Sequence, residues 1–339
     1  MNNKIKIGIT QGDINGVGSE VIIKALADTQ MLDFCIPVIY GSAKVLSFYR
    51  KNLATHSFNP LIINNIKELN AKRVNIINCI EEDLKVEFGQ ATEEAGRAAF
   101  LSLERATQDL KNGQIDVLVT APINKNTIPA DKNFVGHCQF FENAFDEKGE
   151  ALPFLINDLV RIAPAAALPQ DLSKELIVAK LRKLKQSLVQ DFSINLPRIA
   201  VLALNKTAGA EEENIIIPAI KEAETEDIIC VGTYEMDDFF DSRKFEQFDA
   251  VLAMSDEQGL TAFKRVSLDG DVCYTAGLSA IRTAPLHGVE YENAGKNQTS
   301  EEAFRNALYV AIDIFRNRKF YKEITANPLP VKKKRYANG

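Results

Sequence analysis

Five short stretches of this 339-residue chain carry residue types suited to binding or transforming a small anion. Gly12-Asp13-Ile14-Asn15-Gly16-Val17-Gly18-Ser19-Glu20 falls between a strand pattern and a helix pattern. Its glycines allow a tight turn and close approach of backbone to a ligand, and a helix N-terminus offers unpaired N–H groups to an anion. The spacing is neither GxGxxG nor a Walker A loop, and taken alone a strand-to-helix turn that needs glycine is the simpler account. Thr120-Ala121-Pro122-Ile123-Asn124-Lys125 ends another strand, where open α/β sheets bind ligands. Lys125 could hold a carboxylate or phosphate there, or be a surface lysine after a proline turn.

In Gly136-His137-Cys138-Gln139 the His and Cys could form an acid/base pair, although a lone histidine is more often a hydrogen-bonded structural one. The apolar run from Ala250 ends in Ser255-Asp256-Glu257-Gln258-Gly259 and continues to Lys264. Adjacent carboxylates at a strand end could bind a divalent cation or act as a base; acids at a helix N-terminus explain them as well. The fifth stretch, Gly277 to Gly295, holds Arg282, a His287-Gly288 turn and Asn293-Ala294-Gly295. Arg282 suits bidentate binding of carboxylate or phosphate.

These residues sit on alternating strand and helix patterns. Strands are expected at Lys4–Thr10, Cys35–Tyr40, Arg73–Ile80, Ile115–Thr120, Val160–Ala163, Arg198–Leu204, Ile228–Gly232 and Ala250–Met254. Helices are expected at Ser19–Ala27, Glu93–Leu110, Lys174–Gln190 and Glu211–Glu222. In the second of these helices Phe100, Leu103, Ala106 and Leu110 share a face. A last long helix follows a capping box of Thr299 and Glu302 and repeats Phe304, Leu308, Ile312 and Phe315, before Asn327-Pro328 ends the ordered region. Such alternation predicts an α/β fold with mostly parallel sheets covered by helices. The length suits two lobes, with a boundary near Ala130 to Phe134, where Pro129, Asp131 and Asn133 break the pattern.

Composition excludes several function classes. The net charge of −6 and a pI near 5.4 give no electrostatic footprint for nucleic acid, and the one basic run, Lys332 to Arg335, reads as a solvated tail. No apolar stretch approaches a membrane span, and no targeting segment opens the chain. Five scattered cysteines without a CxxC pair suit free thiols in a cytoplasmic protein.

Together the five stretches, in their order and spacing, resemble the 4-hydroxythreonine-4-phosphate dehydrogenase family of pyridoxal phosphate biosynthesis, from Ile5 to about Pro328. The resemblance implies a two-lobed α/β/α fold similar to isocitrate and isopropylmalate dehydrogenases, with the lobes at 1–130 plus 297–330 and at 131–296, and a tail at 331–339. It implies a homodimer formed through the middle segment, with the active site in the cleft at the subunit interface. It implies a small phosphorylated hydroxy-amino acid or similar anion as ligand, and NAD as the acceptor of hydride from a secondary alcohol. The alcohol's oxygen would sit on a divalent metal, and the β-keto acid formed would lose CO₂. The resemblance further assigns Lys264 and Asp237 to catalysis. It assigns His137, Cys138, Lys125, Lys264, Cys273 and Arg282 to the substrate, and Gly12, Asp13, Gly16, Gly18, His287, Gly288 and Asn293 to the cofactor.

The metal positions depart from that pattern. The family draws three histidines from His-Ile-Pro-Leu, Leu-Asn-Pro-His-Ala-Gly and Tyr-His-Asp-Gln-Gly stretches. Here those positions read Ala167, Thr207 and Asp256, and the chain's three histidines, His56, His137 and His287, lie elsewhere. A single carboxylate does not make a catalytic metal site, which needs about three protein ligands. The family's Gly-His-Thr-Glu has become Gly136-His137-Cys138-Gln139, an expected Asn is Cys273, and the glycine-rich loop is shortened so that Ala210 runs into Glu211-Glu212-Glu213. Three readings stand: a dehydrogenase with a rebuilt or absent metal site, a non-catalytic or repurposed paralogue that keeps anion binding, and a subunit completed by an intact relative.

Overall fold

The computed structural model describes residues 4–53, 57–80, 84–206 and 209–327. Thr207, His56, the basic run Lys332 to Arg335 and the 331–339 tail lie outside the described residues. The first part of the chain forms β1 (Ile5–Thr10), α1 (Gly18–Ala27), α2 (Met31–Phe34), β2 (Cys35–Gly41), α3 (Ala43–Asn52), β3 (Leu61–Ile63), β4 (Asn75–Asn78), α4 (Glu93–Lys111) and β5 (Val117–Thr120). Then come α5 (His137–Phe145), β6 (Leu152–Ile156), β7 (Arg161–Ala166), α6 (Lys174–Phe192), β8 (Arg198–Leu202), α7 (Ile217–Thr225), β9 (Ile229–Tyr234), α8 (Met236–Asp241), β10 (Ala250–Ser255) and α9 (Asp256–Lys264). The chain closes with β11 (Val272–Ala276), β12 (Arg282–Pro285) and α10 (Glu302–Thr325).

All twelve strands join one sheet in the order β3-β4-β2-β1-β5-β12-β11-β6-β7-β10-β8-β9. The run from β3 to β12 is parallel, as is the run from β7 to β9; β11 and β6 join them through antiparallel pairings. The mostly parallel α/β reading therefore holds, and the two runs point in opposite directions. Strands such as β1 and β10 are buried on both faces, as parallel strands covered by helices must be. Ile7 and Ile9 of β1 face a core shared with α1, α3, α6, α7 and α10. On the opposite face, α4 and α5 pack Leu103, Leu110 and Phe141 against the first run. Phe239 of α8 and Phe263 of α9 cover the second.

Several helices start where a side chain accepts an otherwise orphaned N–H: Thr92 from Ala95, Ser173 from Leu176 and Ser255 from Gln258. Two expectations need correction. The capping box of Thr299 and Glu302 does not form: the Thr299 hydroxyl donates to Glu290, and Ser300 Oγ accepts the Glu302 N–H. The expected helix over Glu211–Glu222 opens instead as a π-turn, Glu212–Ile216. There the buried Glu212 carboxylate turns inward to accept the N–H groups of Asn205 and Gly209. Those donors outweigh burial and hold its pKa below the ordinary value.

Candidate active site

Arg282 opens β12 and is buried. Its Nε and Nη2 donate to Thr120 Oγ1 at 2.9 and 2.5 Å, and its Nη1 donates to Thr275 Oγ1 at 3.3 Å. The strand register explains this convergence: β12 lies between β5 and β11, with Arg282 opposite Leu118 and Thr275. Among the described residues no carboxylate pairs with the guanidinium; Cys273 and Cys138 are its nearer partners, and burial pulls its pKa down. Burial, with Cys273 alongside, pushes the Cys138 thiol up to about 11. His137 begins α5 in the same neighbourhood. Burial and then the Arg282 charge hold it well below 6.5, and its Nε2 is buried without a partner. The guanidinium thus lies among neutral hydroxyl, thiol and imidazole groups with no opposite charge among the described residues, which is the arrangement an anion completes.

Cys138 also lines a chamber of about 550 Å³ at the carboxyl ends of β7 and β10. Its walls are largely apolar: Pro153 and Leu155 of β6, Pro164 to Ala167, Leu176 of α6 and Leu260 of α9. Its polar groups are Lys180, Asp171 and Asp256. Two of the three family metal positions, Ala167 and Asp256, therefore share this chamber, and one of them contributes only a methyl group. Among the described residues no three His, Cys, Asp or Glu side chains converge as a metal site would require. Asp256 is held at the start of α9 by its neighbours. Gln258 Oε1 accepts the Met254 N–H at 2.7 Å, while Gln258 Nε2 donates to the Ala203 carbonyl at 2.7 Å.

A second chamber of about 570 Å³ holds Lys264, His287, Gly288 and Glu290, and Leu260 lines it too. Asp256, Leu260 and Lys264 recur four residues apart on one face of α9, so that face runs from the first chamber to the second, about 12 Å at 1.5 Å per residue. His287 Nδ1 donates to the Gly288 carbonyl at 2.9 Å, and its Nε2 is buried and unpartnered. A Cβ on Gly288 would meet nothing within 4 Å, so the backbone there is open to a ligand.

Other expected site residues lie outside the walls of both chambers. Gly12 has φ +70°, and a Cβ there would lie 2.5 Å from the Pro122 carbonyl oxygen; one on Gly16 would lie 2.2 Å from a Val289 methyl. The loop's donors are spent internally, Asp13 N on Pro122 and Val17 N on Val289. Tyr291 donates to the buried Asp13 at 2.7 Å and accepts from Asn124 at 3.1 Å, so that three of the five stretches meet on one phenol. Gly12, Asp13, Gly16 and Gly18 thus pack the loop together rather than line a chamber. Lys125 is exposed beside them and lines neither chamber. Asp237 is held by Lys206 at 2.5 Å and by Arg265. Asn293 donates to Glu290, one residue of the second chamber's wall. The residue missed from sequence is Lys180. It lies four residues from Leu176 and from Leu184, on the apolar side of α6, which is the signal that could have singled it out.

The family model for pyridoxal phosphate biosynthetic protein PdxA matches residues 33–311. A 4-hydroxythreonine-4-phosphate dehydrogenase of Bacteroides thetaiotaomicron is 46% identical, over 96% of this chain and 93% of the relative. One of Sulfurihydrogenibium sp. is 33% identical, over 93% of this chain and 100% of the relative. The crystal structure of the Klebsiella pneumoniae enzyme of that name superposes with a TM-score of 0.78 at 26% identity, covering 93% of this chain and 99% of that one. With the model match spanning most of its length and these relatives spanning nearly all of it, the chain belongs to the PdxA family of pyridoxal phosphate biosynthetic proteins.

Proposed function

We propose that the cleft binds a small phosphorylated hydroxy-amino acid of the 4-hydroxythreonine-4-phosphate type, and that NAD-linked oxidation of its secondary alcohol is the reaction class. The observation that carries this reading is Arg282, a buried cation with no carboxylate partner among the described residues, set among neutral donors and acceptors. A phosphate there would replace the missing counter-charge. Charge-assisted hydrogen bonds of this kind contribute on the order of 1.5–3 kcal/mol each. His137 and Cys138 would flank the phosphate, and Cys138 leads into the chamber where the rest of the substrate would lie.

The second chamber fits a cofactor by its orphaned His287 Nε2 and its open Gly288. His287, Gly288 and Lys264 would hold NAD, which when bound takes the hydride. Lys264, next to Leu260 at the junction of the two chambers, is the candidate to exchange the proton at the substrate's hydroxyl oxygen. The donor set does not fit the divalent metal of the family: among the described residues the chamber offers Asp256 but no histidine at the ligand positions. That same misfit favours a second reading, a member that binds the phosphorylated ligand without turning it over.

Homodimer formation through residues 131–296 belongs to the same proposal, with sedimentation as its check; a monomer at micromolar concentration would overturn that part. For the function, the test is NADH formation with 4-hydroxythreonine-4-phosphate alongside calorimetric binding of the same compound. Binding with slow NADH formation supports the first reading and binding with none supports the second. Absence of binding rejects both.

A further inference from the structure

We propose that the chamber at the ends of β7 and β10 is a metal-free receptor for an α-amino-acid head group, with Lys180 holding the carboxylate and Asp256 holding the ammonium. The assignment rests on the reading of this cleft as the substrate site. Lys180 and Asp256 come from different helices, α6 and α9, and both line the same largely apolar chamber. Each is the kind of group that normally finds an opposite charge, yet they do not pair: among the described residues no carboxylate lies within ion-pairing distance, 4.0 Å, of Lys180 or cation within that distance of Asp256. The hydrogen bond that Lys180 makes is a long one, 3.4 Å, to the Ala151 carbonyl.

Burial, reinforced by Lys183, lowers the Lys180 pKa, and burial raises that of Asp256, with Lys180 opposing. Both charges are therefore under-solvated, and each would gain from a partner placed between them. A metal dication would answer Asp256 and repel Lys180. A simple carboxylate would answer Lys180 and be repelled by Asp256 and Asp171; an amine would do the reverse. A zwitterion whose two charged groups are carried by one carbon answers both, and the walls formed by Leu155, Leu176 and Leu260 accept an aliphatic side chain. The methyl of Ala167, at a position where the family places a ligand to its metal, is part of that apolar wall.

The test compares three probes with the same aliphatic tail on the intact chain by saturation-transfer NMR titration: norvaline, pentanoate, which lacks the ammonium, and butylamine, which lacks the carboxylate. Norvaline is expected to bind at least about tenfold tighter than either, with an affinity unchanged by EDTA or added zinc. Lys180→Met should cost norvaline and pentanoate binding alike. Asp256→Asn should weaken norvaline and leave pentanoate unweakened. Equal affinities for the three probes, or norvaline binding that requires zinc or ignores both substitutions, would overturn the assignment. Inorganic phosphate binding, lost in Arg282→Met, is measured in parallel, so that failure of the cleft as a phosphate site is told apart from failure of the head-group assignment.

Discussion

Arg282 Nε and Nη2 both donate to the one hydroxyl oxygen of Thr120, 162 residues earlier in the chain. A hydroxyl is a weak answer to a buried guanidinium, so the folded protein holds a charge that its own atoms leave uncompensated. Arg282→Met should remove that charge at little cost in stability, because replacing a poorly compensated buried ion by an apolar side chain is often neutral or stabilising. The same substitution should abolish the thermal stabilisation that inorganic phosphate gives the unaltered protein, a shift that scales with ligand occupancy. Scanning calorimetry with and without phosphate checks both parts. A variant that unfolds far more easily yet still responds to phosphate would show that Arg282 is structural.

His137 should stay neutral across the physiological range. Burial and the Arg282 charge hold its pKa well below 6.5. The unfolded chain takes up this proton below about 6.5 while the folded one does not. Its contribution to stability is therefore absent above that pH and becomes a loss as the pH falls below it, until the folded pKa is reached. His137→Gln should lessen the acid sensitivity of unfolding. An anion seated at Arg282 offsets the repulsion, so phosphate should move the His137 ring resonance toward ordinary titration in an NMR pH series; no movement would mean that the phosphate sits elsewhere.

Tyr291→Phe should expose how the glycine loop is held. The phenol donates to Asp13, whose carboxyl is pushed above 3.8 by burial against the lowering effects of Tyr291 and Asn15. Losing that donor leaves a buried carboxylate short of a partner, a cost of about 1–3 kcal/mol. A raised carboxyl pKa means that stability falls as pH rises from 3.8 through the folded value. The variant raises it further, so its deficit should be larger at about pH 7 than at about pH 4 in urea unfolding. An equal deficit at both would assign the loss to packing alone.

What was legible in the sequence follows from which signals are local. The parallel strands β1, β2, β5 and β10 announce themselves as apolar runs between helix patterns, and their ends supply the loops that carry chemistry. β6 and β11, which join the two runs of the sheet, and β12, the last strand of the first run, escape the sequence reading. Pro153, Thr275 and the RTAP of Arg282–Pro285 break the alternation that marks a strand. Arg282 could be picked out by type, but its meeting with Thr120 and Thr275 depends on β12 lying between β5 and β11, a long-range pairing. In the glycine loop the sequence leaves a ligand site and a strand-to-helix turn that needs glycine both open, and the close approaches of Gly12 and Gly16 are to Pro122 and Val289, contacts made across long stretches of chain. Lys180 is one of several lysines on α6; its spacing from Leu176 and Leu184 sets it on the apolar side of that helix, but the chamber it lines depends on how α6 packs on β6 and β7, a long-range matter.

Turnover of 4-hydroxythreonine-4-phosphate with NAD should be far below the ordinary level of about 10 s⁻¹. In the family a dication lowers the pKa of the alcohol and steadies the oxyanion that forms as hydride leaves. Here Ala167 offers no donor and Asp256 a single carboxylate, while Lys264 is an exposed ammonium with a single charge where the family has a dication. Loss of one oxyanion donor costs about a hundredfold to a thousandfold in rate, and losing a Lewis acid should cost at least as much. An NADH assay with zinc, magnesium or manganese added in turn measures this, and turnover near 10 s⁻¹ would refute it. Restoring histidine together at Ala167, Thr207 and Asp256 should raise the rate in the presence of metal. If it does not, the obstacle lies in the shortened loop, where Glu212 turns inward to bind the N–H groups of Asn205 and Gly209 and thereby fixes the backbone on either side of position 207.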